Sequence, residues 1–218
     1  MRSDEALARR VARVSVGRVD RVTDARQSLI DFIARDAVFH GDFTLTSGAK
    51  ASFYVDLRKV SLDHRVAPLI GDVMLDLIAE VPGVTAVGGM TMGADPIATS
   101  IMHRGVVRGL SLDAFVVRKE PKDHGRGRQV EGPDVAGKRV IVVEDTSTTG
   151  GSPLAAIAAL EKIGAEIAAV AVVVDRDTGA RERIENAGYP YLAAVDLSDL
   201  GLGASGHVPH ADRTEPPQ

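Results

Sequence analysis

Val140-Ile141-Val142-Val143-Glu144-Asp145-Thr146-Ser147-Thr148-Thr149-Gly150-Gly151-Ser152, with Pro153 behind it, carries the organisation of the whole chain in miniature. Its first residues are an unbroken β-branched run, which only a strand buried on both faces accommodates, so it belongs at the centre of a parallel sheet. Two carboxylates follow, then hydroxyls and glycines, and the fixed φ of Pro153 suits it to open a helix at the first helical position. A strand that passes through a glycine-rich loop into a helix makes a place for an anion. First-turn N–H groups there are unpaired, glycine lets the backbone approach closely, and the helix dipole favours negative charge. Glu144 and Asp145 would repel a phosphate at contact, so their better use is to accept hydrogen bonds from vicinal hydroxyls a short distance away. Ribose 5-phosphate offers both groups together. Alone, Thr148 or Ser152 would be an ordinary helix cap. Two acids closing a buried strand ahead of Thr-Thr-Gly-Gly-Ser are a rarer combination, and the segment lacks the lysine of a nucleotide-triphosphate loop.

Outward from this stretch, Val- and Ile-rich segments alternate with helical patterns, which is the sequence sign of an α/β fold with a parallel sheet covered by helices. Strands are expected at Thr85 to Gly89, Ala114 to Arg118, Arg139 to Glu144, Ile167 to Val174 and Tyr191 to Val195. Helices are expected at Asp24 to Val38, Asp63 to Glu80, Pro96 to His103, Pro153 to Ile163 and Ala180 to Ala187, several behind Asp or Ser caps. Residues 43–57 differ. A turn at Ser47-Gly48-Ala49 between β-branched and aromatic residues reads as a hairpin placed before the main sheet, a piece able to hood the strand ends. There is no internal repeat.

With 218 residues, 44% of them hydrophobic and 26% charged, the chain suffices for one core, and residues 24–202 read as a single domain. Residues 1–23, rich in arginine but diluted by Asp4, Glu5, Asp20 and Asp24, read as a loose or helical extension, and 203–218 as a disordered tail that includes His207 and His210. With no cysteine, disulfides, thiolate metal sites and cysteine nucleophiles are excluded, and a cytoplasmic home is expected. A net charge of -4 without basic-aromatic clusters argues against a nucleic-acid partner, and no apolar run is long enough to span a membrane.

Arg118-Lys119-Glu120-Pro121-Lys122-Asp123-His124-Gly125 follows a strand and continues as Arg126-Gly127-Arg128, with nothing apolar to anchor it. Such a stretch reads either as a solvated loop or as a cationic lid that closes over an anionic leaving group. Together with the acidic-hydroxyl loop it resembles the type I phosphoribosyltransferases. In detail it resembles orotate phosphoribosyltransferase, whose Arg-Lys-x-x-Lys-x-His-Gly catalytic loop matches at each position. The resemblance spans about Asp24 to Leu202 and implies the type I phosphoribosyltransferase fold, with a central parallel sheet flanked by helices and a small N-terminal hood.

By that resemblance, Arg118, Lys119, Lys122 and His124 contact diphosphate, with Lys122 and His124 placed to stabilise or protonate it as it leaves. Glu144, Asp145, Thr146, Ser147, Thr148, Thr149, Gly150, Gly151 and Ser152 hold phosphoribosyl diphosphate, while Thr148 and Arg176 hold orotate. Mg²⁺ is expected on the diphosphate rather than on protein ligands. A homodimer is implied in which each catalytic loop reaches the partner's site. Residues 43–56 match the family's hood over the base, though Phe53 and Tyr54 read equally well as hairpin packing. Two positions depart from the pattern. Thr46 stands where many members carry a substrate-touching lysine, for which Lys50 or Arg58 are candidate replacements. Asp95 stands near another such lysine, in Gly88-Gly89-Met90-Thr91-Met92-Gly93-Ala94-Asp95-Pro96. Diphosphate contact there would rest on backbone N–H groups or Mg²⁺, and Asp95 otherwise reads as a helix cap. The competing expectations are a purine phosphoribosyltransferase and a non-catalytic sensor of phosphoribosyl diphosphate.

Overall fold

Alternate residues of the central run point to opposite sides of the sheet, and both sides are covered. In a computed structural model describing residues 24–44, 50–120 and 128–203, Ile141 and Val143 pack into one apolar cluster while Val140 and Val142 pack into another. That is why the run carries no polar residue. The strand, β6 (Arg139–Ser147), lies inside a six-stranded sheet of order β5-β4-β3-β6-β7-β8. Its neighbours are β3 (Ala86–Met90) and β7 (Glu166–Asp175), both parallel to it. β8 (Tyr191–Asp196) continues the parallel order beyond β7, and β4 (Asp113–Val117) continues it beyond β3. A two-residue β5 (Val130–Glu131) closes the far edge antiparallel to β4.

The first cluster buries α1 (24–32), α3 (Ala67–Leu77) and α4 (Ala94–Val107) on one face, and the second buries α5 (Gly151–Glu161) and α6 (Ala180–Asn186) on the other. All five expected strands are present. β6 outruns its expected end at Glu144, because Thr146 and Ser147 stay in register with Val174 and Asp175 of β7. The first helix ends in a π turn, Ile33–Ala37, one residue before the expected end. The expected helix at Asp63 to Glu80 is shorter. Residues before it form a short α2 (Arg58–Ser61) and a turn in which Asp63 Oδ1 accepts the Arg65 N–H at 2.8 Å, a local bond that competes with helix. Expected side-chain caps are absent: α2 to α6 have no side-chain cap hydrogen bond.

The expected hairpin exists as a separate two-stranded sheet, β1 (Val38–Thr44) against β2 (Lys50–Val55). Phe53 and Val55 bury against Leu197 and Leu202, so the piece seats on the turns that follow β8. The extension 1–23, the turn with Thr46, the stretch with Lys122 and His124, and the tail with His207 and His210 lie outside the described residues, as does the side chain of Lys50.

Candidate active site

Because β3, β4, β6 and β7 run parallel, the segments that leave their carboxyl ends emerge along one edge of the sheet, where α/β folds place ligands. Those segments are Thr91 to Gly93, Arg118 to Glu120, Thr148 to Gly150 and Arg176 to Gly179. Strand spacing puts the ends of β4 and β6 about 10 Å apart, with β3 between them. Most of the chemistry-bearing residues picked out above sit on this edge.

The anion loop starts later and turns sooner than the sequence suggests. Gly150, not Pro153, precedes α5, and it holds a left-handed φ of 71° that only glycine adopts cheaply. Pro153 is therefore the third helical residue. This is sterically free, because no first-turn N–H has an intrahelical acceptor to lose. The Thr148 carbonyl accepts from Thr178 Oγ1, and the Thr149 carbonyl accepts from Arg183 Nη1 at 3.0 Å. Ties from the α6 side thus pin the loop while the side chains of Thr148, Thr149 and Ser152 stay exposed. Ser147 is turned the other way. Its hydroxyl is buried and lies 2.7 Å from Tyr191 Oη, beside Asp175, so what it offers a ligand is backbone. Burial also pushes the Tyr191 phenol up, which keeps that pair neutral.

Glu144 is 7% exposed, and its Oε2 has no hydrogen-bond partner in the protein. Burial first, then the charge of Asp145, with Asp95 as a further contributor, raises its pKa to about 8. Asp145 is half-buried and accepts the Thr146 N–H at 2.6 Å. The backbone of Gly93 lies against both acids. A Cβ there would stand 2.6 Å from Asp145 Oδ1 and 2.9 Å from Glu144 Oε1, so glycine is what lets the loop after β3 close on them. Sequence reading missed Gly93, whose only signal was its place within a glycine-rich segment. Asp95 does not cap α4. It sits inside the first turn, its Oδ2 accepts from Thr91 Oγ1 at 2.7 Å, and its Oδ1 is buried without a partner.

Arg176 follows β7 directly. Its N–H donates to the Ser147 carbonyl at 3.3 Å, and its half-buried side chain has an unpartnered Nε. β7 therefore delivers a guanidinium beside the anion loop. At the other end of the site, the N–H of Arg118 donates to the Gln129 carbonyl at 2.8 Å and Gln129 Nε2 donates back to the Arg118 carbonyl at 3.1 Å. The basic segment thus leaves and re-enters the fold at one closed base beside β5, with Lys119 exposed. Arg58, a candidate substitute for the missing lysine, hydrogen-bonds Asp56 at 2.9 Å and feels the charge of Asp145. Next to the loop after β3, a cavity of about 740 Å³ opens between α2, α3 and α4, bordered by Arg58, Leu62, Met92 and Asp95.

The phosphoribosyl transferase domain family matches residues 86–188, which run from β3 to the end of α6. The orotate phosphoribosyltransferase of Tropheryma whipplei is 58% identical over 175 residues, 80% of this chain and 82% of that one. That of Streptomyces coelicolor is 56% identical over 182 residues, 83% of this chain and all of the other. This chain belongs to the orotate phosphoribosyltransferases. The family's type I fold is seen in the crystal structure of the Mycobacterium tuberculosis orotate phosphoribosyltransferase in complex with 5-phospho-α-D-ribosyl 1-diphosphate. That structure is 47% identical, has a TM-score of 0.71, and covers 82% of this chain and 99% of that chain. Membership makes the protein a pentosyltransferase.

Proposed function

We propose that the protein transfers the 5-phosphoribosyl group of phosphoribosyl diphosphate to orotate, giving orotidine 5′-phosphate and diphosphate, a step of pyrimidine nucleotide synthesis. The observation that carries this is the acid pair Glu144 and Asp145, which lies against the backbone of Gly93 on the strand that runs into the exposed hydroxyl loop opening α5, with Arg176 bonded beside that loop. The N–H groups of Thr149 to Ser152 and the hydroxyls of Thr148, Thr149 and Ser152 hold the 5′-phosphate. Thr146 and Ser147 support it through backbone. Glu144 and Asp145 accept hydrogen bonds from the ribose hydroxyls. Arg176 pairs with the orotate carboxylate, a planar match for its fork, with Thr148 beside it.

In the transfer, the bond from ribose carbon 1 to the diphosphate oxygen breaks and the electron pair leaves with diphosphate. A ring nitrogen of orotate forms the new bond to that carbon and gives up its proton, which balances the charge that leaves with diphosphate. No protein nucleophile is needed. The two acids lie where they offset positive charge developing on the sugar. Arg118, Lys119, Lys122 and His124 receive the charge on the leaving group, and an imidazole that titrates near neutrality suits proton donation. Mg²⁺ arriving on the diphosphate would neutralise its charge, and the acidic corner of Glu144, Asp145 and Asp95 would favour that cation.

A homodimer completes the reading. Leu62 and Met92, 74% and 67% exposed, flank the cavity beside the loop after β3 and give a second copy apolar surface to cover. Replacing Lys122 and His124 together with glutamine tests whether the protein catalyses or only senses. An enzyme loses turnover by several orders of magnitude while keeping measurable affinity for phosphoribosyl diphosphate. Unchanged turnover would remove the basic segment from the reaction, and adenine, hypoxanthine or uracil outcompeting orotate would replace the acceptor.

A further inference from the structure

Asp95 spends one carboxylate oxygen within the protein, and the other is buried without a partner. Oδ2 takes the Thr91 hydroxyl at 2.7 Å, and Oδ1 has no partner. Its helix turn is held from above by Thr99 Oγ1, which donates to the Asp95 carbonyl at 2.8 Å. The loop so anchored, 91–93, is the one whose Gly93 lies against Glu144 and Asp145. Glu144 likewise has a buried oxygen without a partner. The two unpaired oxygens, Asp95 Oδ1 and Glu144 Oε2, belong to different elements, α4 and β6, and the charge of Asp95 bears on Glu144. A helix cap would need neither the contact with Thr91 nor proximity to Glu144.

We propose that Asp95 is a positioning residue of the ribose site, tying the loop before α4 to the helix through Thr91 and acting on the substrate through Glu144. This rests on the reading of Glu144 and Asp145 as ribose-binding acids. Among the described residues, the charges bearing on Glu144 are Asp145 from its own strand and Asp95 from α4. Arg58 of α2 bears on Asp145, but its hydrogen-bond partner is Asp56. The corner therefore holds more negative charge than burial tolerates, and near neutral pH Glu144 keeps a proton in the free protein. Ribose hydroxyls that donate to Glu144 favour its ionised form, and a cation arriving with the diphosphate favours it too. Binding then expels the proton. The negative charge on Asp95 sets how firmly that proton is held, and its bond to Thr91 sets where the loop stands when the sugar arrives.

The test is calorimetric titration of phosphoribosyl diphosphate with Mg²⁺ into the full chain at pH 7.5, in buffers of different ionisation enthalpy, so that protons released are counted. The wild type releases more protons than Asp95→Asn, by about a few tenths of a proton. In a Glu144→Gln background, the Asp95→Asn change alters the count no further, because the two act through one group. Thr91→Val weakens affinity several-fold and leaves the proton count where it was. Equal counts for the wild type and Asp95→Asn would overturn the coupling to Glu144, and unchanged affinity in Thr91→Val would overturn the clamp. Orotate turnover by the wild type is measured separately. Its absence would displace the acceptor proposed above without altering the proton count.

Discussion

At the scale of single residues, the site works by placing groups where they are uncomfortable in the free protein. Glu144 is the clearest case. Its ordinary value of 4.5 rises to about 8 in the fold, so folding takes up a proton between those values. The stability this contributes is full below pH 4.5 and is lost as pH rises through 8, each tenfold change in proton affinity being about 1.4 kcal/mol. Glu144→Gln removes the loss. Its melting temperature should gain on the wild type from pH 5 to about pH 8 and level off above that, and a pH-independent difference would mean that Glu144 ionises freely. Arg176 carries the opposite kind of discomfort, a half-buried cation with an unpartnered Nε. Arg176→Lys keeps the charge but loses the planar fork, so KM for orotate should rise about tenfold or more, equivalent to about 1.4 kcal/mol, with a smaller change in KM for phosphoribosyl diphosphate. Equal effects on both substrates would take Arg176 out of acceptor recognition. The sequence placed the acid pair and Arg176 at the carboxyl-end side of buried strands, and the fold puts them there, the acids within the last residues of β6 and Arg176 directly after β7. The inward turn of Ser147 was not legible in the sequence. Its hydroxyl is committed to Tyr191, 44 positions away, a partner no local pattern reveals.

At the scale of elements, the strand interiors were legible and the joints were not. Val and Ile runs identify β6 and β7 because burial on both faces leaves one kind of residue to choose from. Helix starts shifted for a physical reason. Pro96 and Pro153 read as first helical residues but occupy third positions in α4 and α5, since the chain is already helical at Gly93, Gly150 turns it just before α5, and a first-turn proline gives up no hydrogen bond. β5 was invisible: two residues carry no period, and it exists through pairing with β4 and the Arg118 and Gln129 bonds. The start of α5 is where element geometry becomes function. Gly150→Ala forces a side chain into the left-handed region and brings a Cβ to 3.2 Å from the Ile184 side chain. It should cost about 1 to 2 kcal/mol of stability and weaken ribose 5-phosphate binding by a larger factor than any effect on orotate binding. Chemical denaturation and equilibrium binding measure the two. A variant with wild-type phosphate affinity would show that the turn at Gly150 does not shape the anion nest.

At the scale of the whole molecule, the parallel sheet is a device for convergence. Four strands deliver the acids, the anion loop, the guanidinium and the base of the cationic segment to one edge, and a helical layer on each face makes that edge rigid. What one copy leaves open is apolar: Leu62 and Met92 project beside the site. If the proposed dimer forms across this surface, Met92→Asp should convert it into monomers in sedimentation at micromolar concentration and lower turnover, because on that proposal each site would borrow the partner's basic segment. A monomeric wild type with full activity would contradict that assembly. The central claim is the reaction itself, and the most direct measurement follows the loss of orotate ultraviolet absorbance with phosphoribosyl diphosphate, with and without Mg²⁺. The expected result is steady orotate consumption that stops when Mg²⁺ is chelated and yields orotidine 5′-phosphate and diphosphate in equal amounts. Tight binding of phosphoribosyl diphosphate with no consumption of orotate would contradict the account and leave a protein that recognises the sugar without transferring it.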